Sequence, residues 1–311
     1  MNYGEIFVKA AKITWKHKVL WLPAMFLSIF TIAYSVGTTW WSESMTAMST
    51  ELQQNPERMP SSFLSSMGLF FLFAILMMII SSVLGVFNTI IVSRGAFKAE
   101  QGEERLTIAG LIRDSLPFFW RVFGMSLFMG LALMIAMIPI VCFLWVAVFS
   151  IALSSIQTTG TTTGLWLAYI PMLLCVIPVV LAYTGFAEQT FLAIIVENDS
   201  FGNALSRGWN IFRRNLGVNF LMAFLLGLLT WIVSYLVALP MQPLATRLLF
   251  TGGNSDILTT LLYLGLSLIY VAVFVIVQGV ISAFYQSAWT LTFLRLTKPS
   301  VLSEPAPAEN V

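Results

Sequence analysis

The sequence predicts an all-α protein, a polytopic bundle of six transmembrane helices arranged as three repeated units, each an interfacial amphipathic helix followed by a transmembrane hairpin. Three observations predict it. Hydrophobic residues make up 58% of the chain and charged ones only 10%, a balance expected of a chain dissolved in lipid. Apolar runs of roughly 20 residues or more, the length of helix needed to cross a hydrocarbon core of about 30 Å, recur along the chain. The basic residues gather at alternate ends of those runs, where they set topology.

The runs cover 19–41, 63–92, 122–148, 165–196, 216–239 and 258–294. Several exceed the minimum, so they are expected to tilt, extend beyond the bilayer or kink, with Pro139, Pro171 and Pro178 as the kink points. The first run follows Lys9, Lys12, Lys16 and Lys18 in the manner of a signal peptide. It is longer than the roughly 7–15 residues of such an apolar region and lacks a small-residue cleavage site, so it is read as a retained span.

Orientation follows from lysine and arginine. Lys9, Lys12, Lys16, Lys18, Arg94, Lys98, Arg105, Arg113, Arg121, Arg207, Arg213, Arg214, Arg295 and Lys298 fall on one side of the membrane, and only Arg58 and Arg247 on the other. Both termini are therefore expected in the cytoplasm of a multi-pass cell-membrane protein. The outer loops become 42–62, the uncharged segment around Gly160, and 240–257. Trp15, Trp21, Trp120, Trp209 and Trp289 mark inner boundaries, and Trp40, Trp41, Trp145 and Trp166 outer ones. Trp231 fits neither boundary and is expected against a neighbouring helix.

The repeat rests on three amphipathic stretches. Phe201, Leu205, Trp209 and Phe212 recur at helical spacing before the fifth run, with Asp199 or Ser200 as the cap; Ile108, Leu111, Ile112, Leu116 and Phe119 do so before the third, with Thr107 as the cap. Ile6, Ala10, Ile13 and His17 oppose Glu5, Lys9, Lys12 and Lys16 before the first. Each stretch ends on an aromatic and basic pair, Trp15-Lys16, Trp120-Arg121 and Phe212-Arg213. Ile90-Ile91-Val92 and Ile194-Ile195-Val196 close the second and fourth runs alike. The units so defined are about 1–98, 99–199 and 200–298, together one transmembrane domain over 1–298, with 299–311 expected as a disordered, Pro-rich cytoplasmic tail.

Glu188 is the acidic side chain well inside a span, roughly 10 Å from its basic end at 1.5 Å per residue. An intramembrane carboxylate is costly, and its expected compensation is protonation, a hydrogen bond from Gln189, Gln278 or Gln286, or an ion pair with Arg94 or Arg295. The functional reading is a proton or cation relay, or the polar floor of a ligand cavity; the structural reading is a polar contact between spans. Asn88, Gln278 and Gln286 read as interhelical hydrogen-bonding groups. Lys12, Lys16, Arg121, Arg207, Arg213 and Arg214 are candidate contacts for anionic lipid headgroups.

Enzyme signatures are not found. The chain has no Gly-rich phosphate loop with Lys-Ser or Lys-Thr, no HExxH, no Cys/His cluster, and one histidine, His17, which reads as part of an interfacial basic cluster. Cys142 and Cys175 fall inside spans and read as small packing residues. No cofactor or metal is called for, and a net charge of +2 does not suggest nucleic acid. The expected partners are a bilayer with anionic headgroups and a protein, either a second copy of the chain or another subunit.

The pattern carried by Val196, Glu197, Ala204, Leu205, Arg207, Trp209, Arg213, Arg214 and Asn215 resembles a recurrent segment of bacterial membrane proteins. It is similar to the membrane-anchoring domain found ahead of some glycerophosphodiester phosphodiesterases and to relatives with six spans. The H-K-V-L-W-L of residues 17–22 resembles the start of the first span in the same group, with Pro23 where glycine is more usual there. The resemblance implies a six-helix membrane module without catalysis, since the phosphodiesterase chemistry in such proteins belongs to a separate soluble barrel. The role expected of the chain is structural, anchoring or membrane-organising; the alternative is a transporter or lipid-handling protein with a polar cavity around Glu188.

Overall fold

A computed structural model describes residues 2–54, 62–158, 163–239 and 257–297. Among them every regular element is a helix. In chain order these are α1 (Tyr3–Lys16), a short 3-10 helix (Lys18–Trp21), α2 (Leu22–Gln54), α3 (Ser62–Glu100), α4 (Ile108–Thr158), α5 (Thr163–Glu197), α6 (Phe201–Arg214), α7 (Leu216–Ala238) and α8 (Ile257–Thr297). Of these, α2, α3, α4, α5, α7 and α8 contain stretches long and apolar enough to cross a membrane. The proposed tail at 299–311 lies outside the described residues, as do most of the loop at 240–257 and the residues 159–162 around Gly160.

Two of the helices run further than their apolar stretches require. The loop expected at 42–62 is helical as far as Gln54, because α2 continues past Trp41. Serines and threonines there turn their hydroxyls back onto the preceding turn, as Ser44 does to the Trp40 carbonyl and Thr46 to that of Ser42, both at 2.9 Å. The amphipathic stretch before the third run is not a separate helix. It is the first part of α4, one helix of 51 residues that passes through Pro117 and Pro139. At 1.5 Å per residue it rises roughly 77 Å, more than twice a hydrocarbon core of about 30 Å, so an untilted α4 projects well beyond it. Nothing after Arg121 stops a helix, since the chain continues with Val122 and Phe123, and each proline costs α4 only a local backbone bond. Pro171 and Pro178 likewise lie inside the continuous α5.

The first and third amphipathic stretches do end. Helix α1 stops where His17 takes φ −112° and ψ 71°. The Trp21 indole Nε1 donates to the free Thr14 carbonyl at 2.9 Å, satisfying a group that the helix end leaves open. Helix α6 stops at Asn215, with φ −127° and ψ 40°. There the side-chain Nδ2 donates to the Ile211 carbonyl at 3.1 Å while the backbone N–H reaches both Ile211 and Phe212. The asparagine thus closes α6 and lets α7 begin one residue later.

The chain divides into two compact units. The first comprises residues 1–7, 116–231 and 288–311, the second 8–115 and 232–287. In the first, α5 packs against α6, and the core draws on Val122 and Met125 of α4, Ala187 and Leu192 to Ile195 of α5, Met222 and Leu226 of α7, and Trp289 and Phe293 of α8. In the second, α2 packs against α3, and Leu20, Ala24, Ile90, Val92, Ala96 and Leu111 are buried. Gly279 of α8 permits a backbone approach in this unit, since a Cβ there would stand 3.0 Å from the Trp21 carbonyl oxygen and 2.6 Å from Met25 Cγ.

Three aromatic and sulfur positions show what hydropathy leaves open. Trp289 is fully buried rather than interfacial, whereas Trp231 is 64% exposed. Cys142 is exposed rather than a packing residue. Hydropathy places a residue at membrane depth without saying whether its face meets lipid or protein, and these three depend on that second choice. Trp15, Trp40, Trp120, Trp145 and Trp209 are all exposed, as boundary residues should be.

Candidate functional site

The most heavily built local structure surrounds α6. Helix α5 ends at Glu197 and the chain turns at Asn198, whose φ of 60° is a left-handed value that asparagine tolerates better than most residues. Its side chain is used as well, Oδ1 accepting from Arg121 Nη1 at 2.9 Å. Ser200 then takes an extended conformation as the residue before the first turn of α6, though its hydroxyl makes no capping bond. Arg207, two turns on, closes the loop from outside by donating to the Glu197 carboxylate, Nη2 to Oε1 at 2.8 Å, with Asp199 at 4.0 Å.

Helix α6 lies on α5 through Ala204, Gly208 and Phe212, all buried. Gly208 sets the distance. A Cβ there would fall 2.3 Å from Thr190 Oγ1 and 2.8 Å from Thr190 Cα, so only hydrogen fits. With the backbones this close, the Trp209 and Phe186 rings meet edge to face at 5.5 Å, and Phe212 stands 6.1 Å from Phe186.

The two flanks of α6 differ. One faces an open polar groove of about 500 Å³ bordered by Asp199, Asn203, Arg207, Asn210, Arg214 and Asn215, with Leu296 and Thr297 at the end of α8. The other flank roofs an apolar cleft of about 260 Å³ between α4 and α5, lined by Met129, Ala132 and Ala136 from α4, Ala182 and Phe186 from α5, and Trp209 and Phe212 from α6. Among the described residues Arg213 and Arg214 make no ion pair, nor do Lys12, Lys16 and Arg121, whereas Arg207 is held by Glu197. The basic candidates are thus of two kinds: Arg207 is paired with a carboxylate, whereas the other five are exposed and make no ion pair among the described residues, Arg121 being hydrogen-bonded to the Asn198 amide oxygen.

Of the intramembrane polar candidates, Glu188 is buried at 8% exposure on α5, beside the fully buried Gln189. Gln189 Nε2 donates to Asn219 Oδ1 of α7 at 2.8 Å, and Asn219 Nδ2 donates to the Asn215 carbonyl at 3.0 Å. The amides of Gln189, Asn219 and Asn215 therefore form a ladder that ties α5 to the start of α7. In the second unit Asn88 Nδ2 donates to Ser282 Oγ at 2.9 Å, Ser93 Oγ to Gln286 Oε1 at 3.3 Å, and Gln278 Nε2 to Ser234 Oγ at 3.1 Å. Arg295, one of the cations considered for Glu188, is paired with Glu5 at 2.9 Å.

Asn219, Ser93, Ser234 and Ser282 were not singled out from sequence. Asn219 had a legible signal, an amide four residues after Asn215 inside an apolar run, whereas the serines had none, because a serine in a span more often bonds its own helix. His17, beside Lys16 and Lys18, is itself buried. Burial, with Lys16 beside it, holds its imidazole below the ordinary histidine value. No group of three or more His, Cys, Asp or Glu that could hold a metal occurs among the described residues.

Comparison of the chain with family models, with curated proteins and with solved structures gave no match.

Proposed function

We propose that this chain is a non-enzymatic integral protein of the cytoplasmic membrane, with both termini on the cytoplasmic side, that anchors or organises a protein partner at the membrane surface. One observation carries the reading. Each amide inside the apolar helices makes a bond to another protein group, Gln189 to Asn219, Asn88 to Ser282, Gln286 to Ser93 and Gln278 to Ser234, although the Gln189 Oε1 and Asn88 Oδ1 oxygens take no partner among the described residues. Such pairs hold helices together and leave those groups less to offer a solute. Six apolar helices support the membrane assignment, and the distribution of lysine and arginine supports the orientation. The separate helices α1 and α6, each followed by an apolar helix, support a repeated plan of surface helix and hairpin, with the middle copy fused into α4. The resemblance of the α6 segment to membrane-anchoring domains agrees with an architectural role.

The test is photocrosslinking in intact membranes from Asn203, Asn210 or Arg214, on the exposed polar side of α6. One reproducible protein adduct is expected, and recovery of uncrosslinked monomer alone would count against the anchor. Reporter fusions at both ends check the orientation: each is expected to be active only for a reporter that works in the cytoplasm.

A second reading, transport or lipid handling, is favoured by the burial of Glu188. On that reading Glu188→Gln removes a flux or a ligand-dependent stabilisation while expression is maintained. An unchanged response would sink it.

A further inference from the structure

We propose that the polar groove beside α6 is the docking site for the chain's own segment 298–307, with Glu304 seated on Arg214. The proposal is independent of the anchoring role; on that reading the segment competes with the partner for the same face.

The groove is built from one side of α6 and the end of α8. Asn203, Ser206, Arg207, Asn210 and Arg214 recur at three- and four-residue spacing and so share a face of α6, while Leu296 and Thr297 border the groove from α8. Thr297 is the last residue of α8, so the chain that follows, K-P-S-V-L-S-E-P-A-P, starts at the edge of the groove. A segment joined there is present at an effective concentration on the order of millimolar, an advantage no separate peptide has.

Reach and spacing both suit it. From Asn203 to Arg214 the helix rises about 16.5 Å at 1.5 Å per residue. The seven residues from Thr297 to Glu304 span about 22 Å as a polyproline II chain, at 3.1 Å each. Glu304 can therefore meet Arg214 from wherever Thr297 stands along that face. Pro299, Pro305 and Pro307 favour this conformation, whose carbonyls have no internal partner. Asn203 and Asn210, both exposed, lie two helical turns apart, about 10.5 Å, close to the roughly 9.3 Å of one three-residue turn of such a chain. Their Nδ2 groups are thus spaced to donate to carbonyls three residues apart.

Charge sets the direction. Asp199 precedes the first turn of α6 and Arg214 stands in its last. Arg207 between them is taken up by Glu197, whereas Arg214 makes no ion pair among the described residues. An acidic side chain in the groove is repelled at Asp199 and attracted at Arg214, and Glu304 is the first acidic residue after Thr297.

The test measures distances by pulsed electron paramagnetic resonance on the full chain purified in detergent, with nitroxides on Gly202→Cys and Ser303→Cys and with Cys142 and Cys175 replaced by alanine. Gly202 is outside the groove lining, and a Cβ added there meets nothing within 4 Å. A short-distance population is expected, and its ratio to any broad remainder reads docked against undocked segment. Arg214→Gln or Glu304→Gln should lower that ratio by up to about fivefold, the effect of one exposed ion pair. Reversing both charges, Arg214→Glu with Glu304→Arg, should restore it, and Arg213→Gln should change it less than Arg214→Gln does. Should the cysteine replacements fail to fold, a photocrosslinker at Asn210 in the otherwise native chain decides the matter, with an intrachain adduct on 298–307 expected. A single broad distribution, a ratio that neither glutamine variant moves, or no recovery in the reversed pair would overturn the site. A short distance between chains carrying one label each would also overturn it, since the occupant would then be a second copy. No partner protein is present in these measurements, so failure of this site and failure of the anchor are separate results.

Discussion

Single side chains set the tightest constraints in this protein, and Gly208 is the clearest. Its missing Cβ would lie 2.3 Å from Thr190 Oγ1 and 2.8 Å from Thr190 Cα, and backbone cannot move aside as a side chain can. Gly208→Ala is expected to lower stability by about 1–3 kcal/mol, the usual cost of overpacking. Gly202→Ala, six residues earlier with nothing within 4 Å, is expected to be neutral or to stabilise by about 0.5–1 kcal/mol through helix propensity. Thermal unfolding of the two variants in one detergent checks the contrast. Asn219→Leu strands the buried Gln189 Nε2 and is expected to cost about 1–3 kcal/mol. Adding Gln189→Leu should recover part of that loss, and a double-mutant cycle measures the coupling. His17 makes a pH prediction. Its folded-state value lies below the unfolded one, so above about pH 6.5 both states are neutral and no difference arises. As pH falls the unfolded chain takes up the proton first, and stability drops. Melting temperatures measured from pH 8 to pH 5 should therefore decline for wild type and decline less for His17→Gln.

At the scale of elements, α6 shows how a short helix is held on a membrane protein without a span of its own. It has a buried stripe against α5, an arginine clasp at its start and an asparagine stop at its end. The clasp is the weakest of the three, because Arg207 is about half exposed and such pairs are worth about 0.2–1 kcal/mol. Arg207→Ala is thus expected to leave the global melting temperature nearly unchanged while speeding amide hydrogen exchange in the first turns of α6. Equal exchange in variant and wild type would show that the buried stripe alone seats the helix. Helix α4 makes the opposite case. The same aromatic and basic pairing that closes α6 at Phe212-Arg213 is present at Trp120-Arg121, yet α4 runs on for 51 residues. The difference lies in the following residue, where Asn215 comes soon after Arg213-Arg214 but Val122 continues the apolar pattern after Arg121.

At the scale of the whole molecule, the six apolar helices were legible because length and hydropathy are local properties that one pass along the chain can sum. Candidate basic residues were legible for the same reason, since each stands at the end of an apolar run. What each one does was not. Arg207 and Arg213 lie six residues apart on one helix, but one meets Glu197 and the other makes no ion pair among the described residues. Gln189, Gln278 and Gln286 looked equivalent as amides in apolar surroundings, whereas they bond to Asn219, Ser234 and Ser93 respectively. Two of those three partners are serines, a residue type whose hydroxyl usually returns to its own backbone. A crossed pair of hydroxyl and amide leaves no mark on hydropathy.

The sequence by itself determined the class of the molecule and the positions of its apolar helices, because the bilayer penalises charge and unpaired backbone wherever they occur. Only the tertiary structure decided which faces of those helices are buried against protein and which stay exposed. It buried Trp289 and exposed Trp231, ran α4 through its amphipathic stretch, seated α6 on α5 at Gly208, and left a furrow of three alanines beneath Trp209. The physical reason is that lipid tails and apolar side chains are alike to hydropathy, so inside a membrane the choice between them falls to shape and hydrogen bonding.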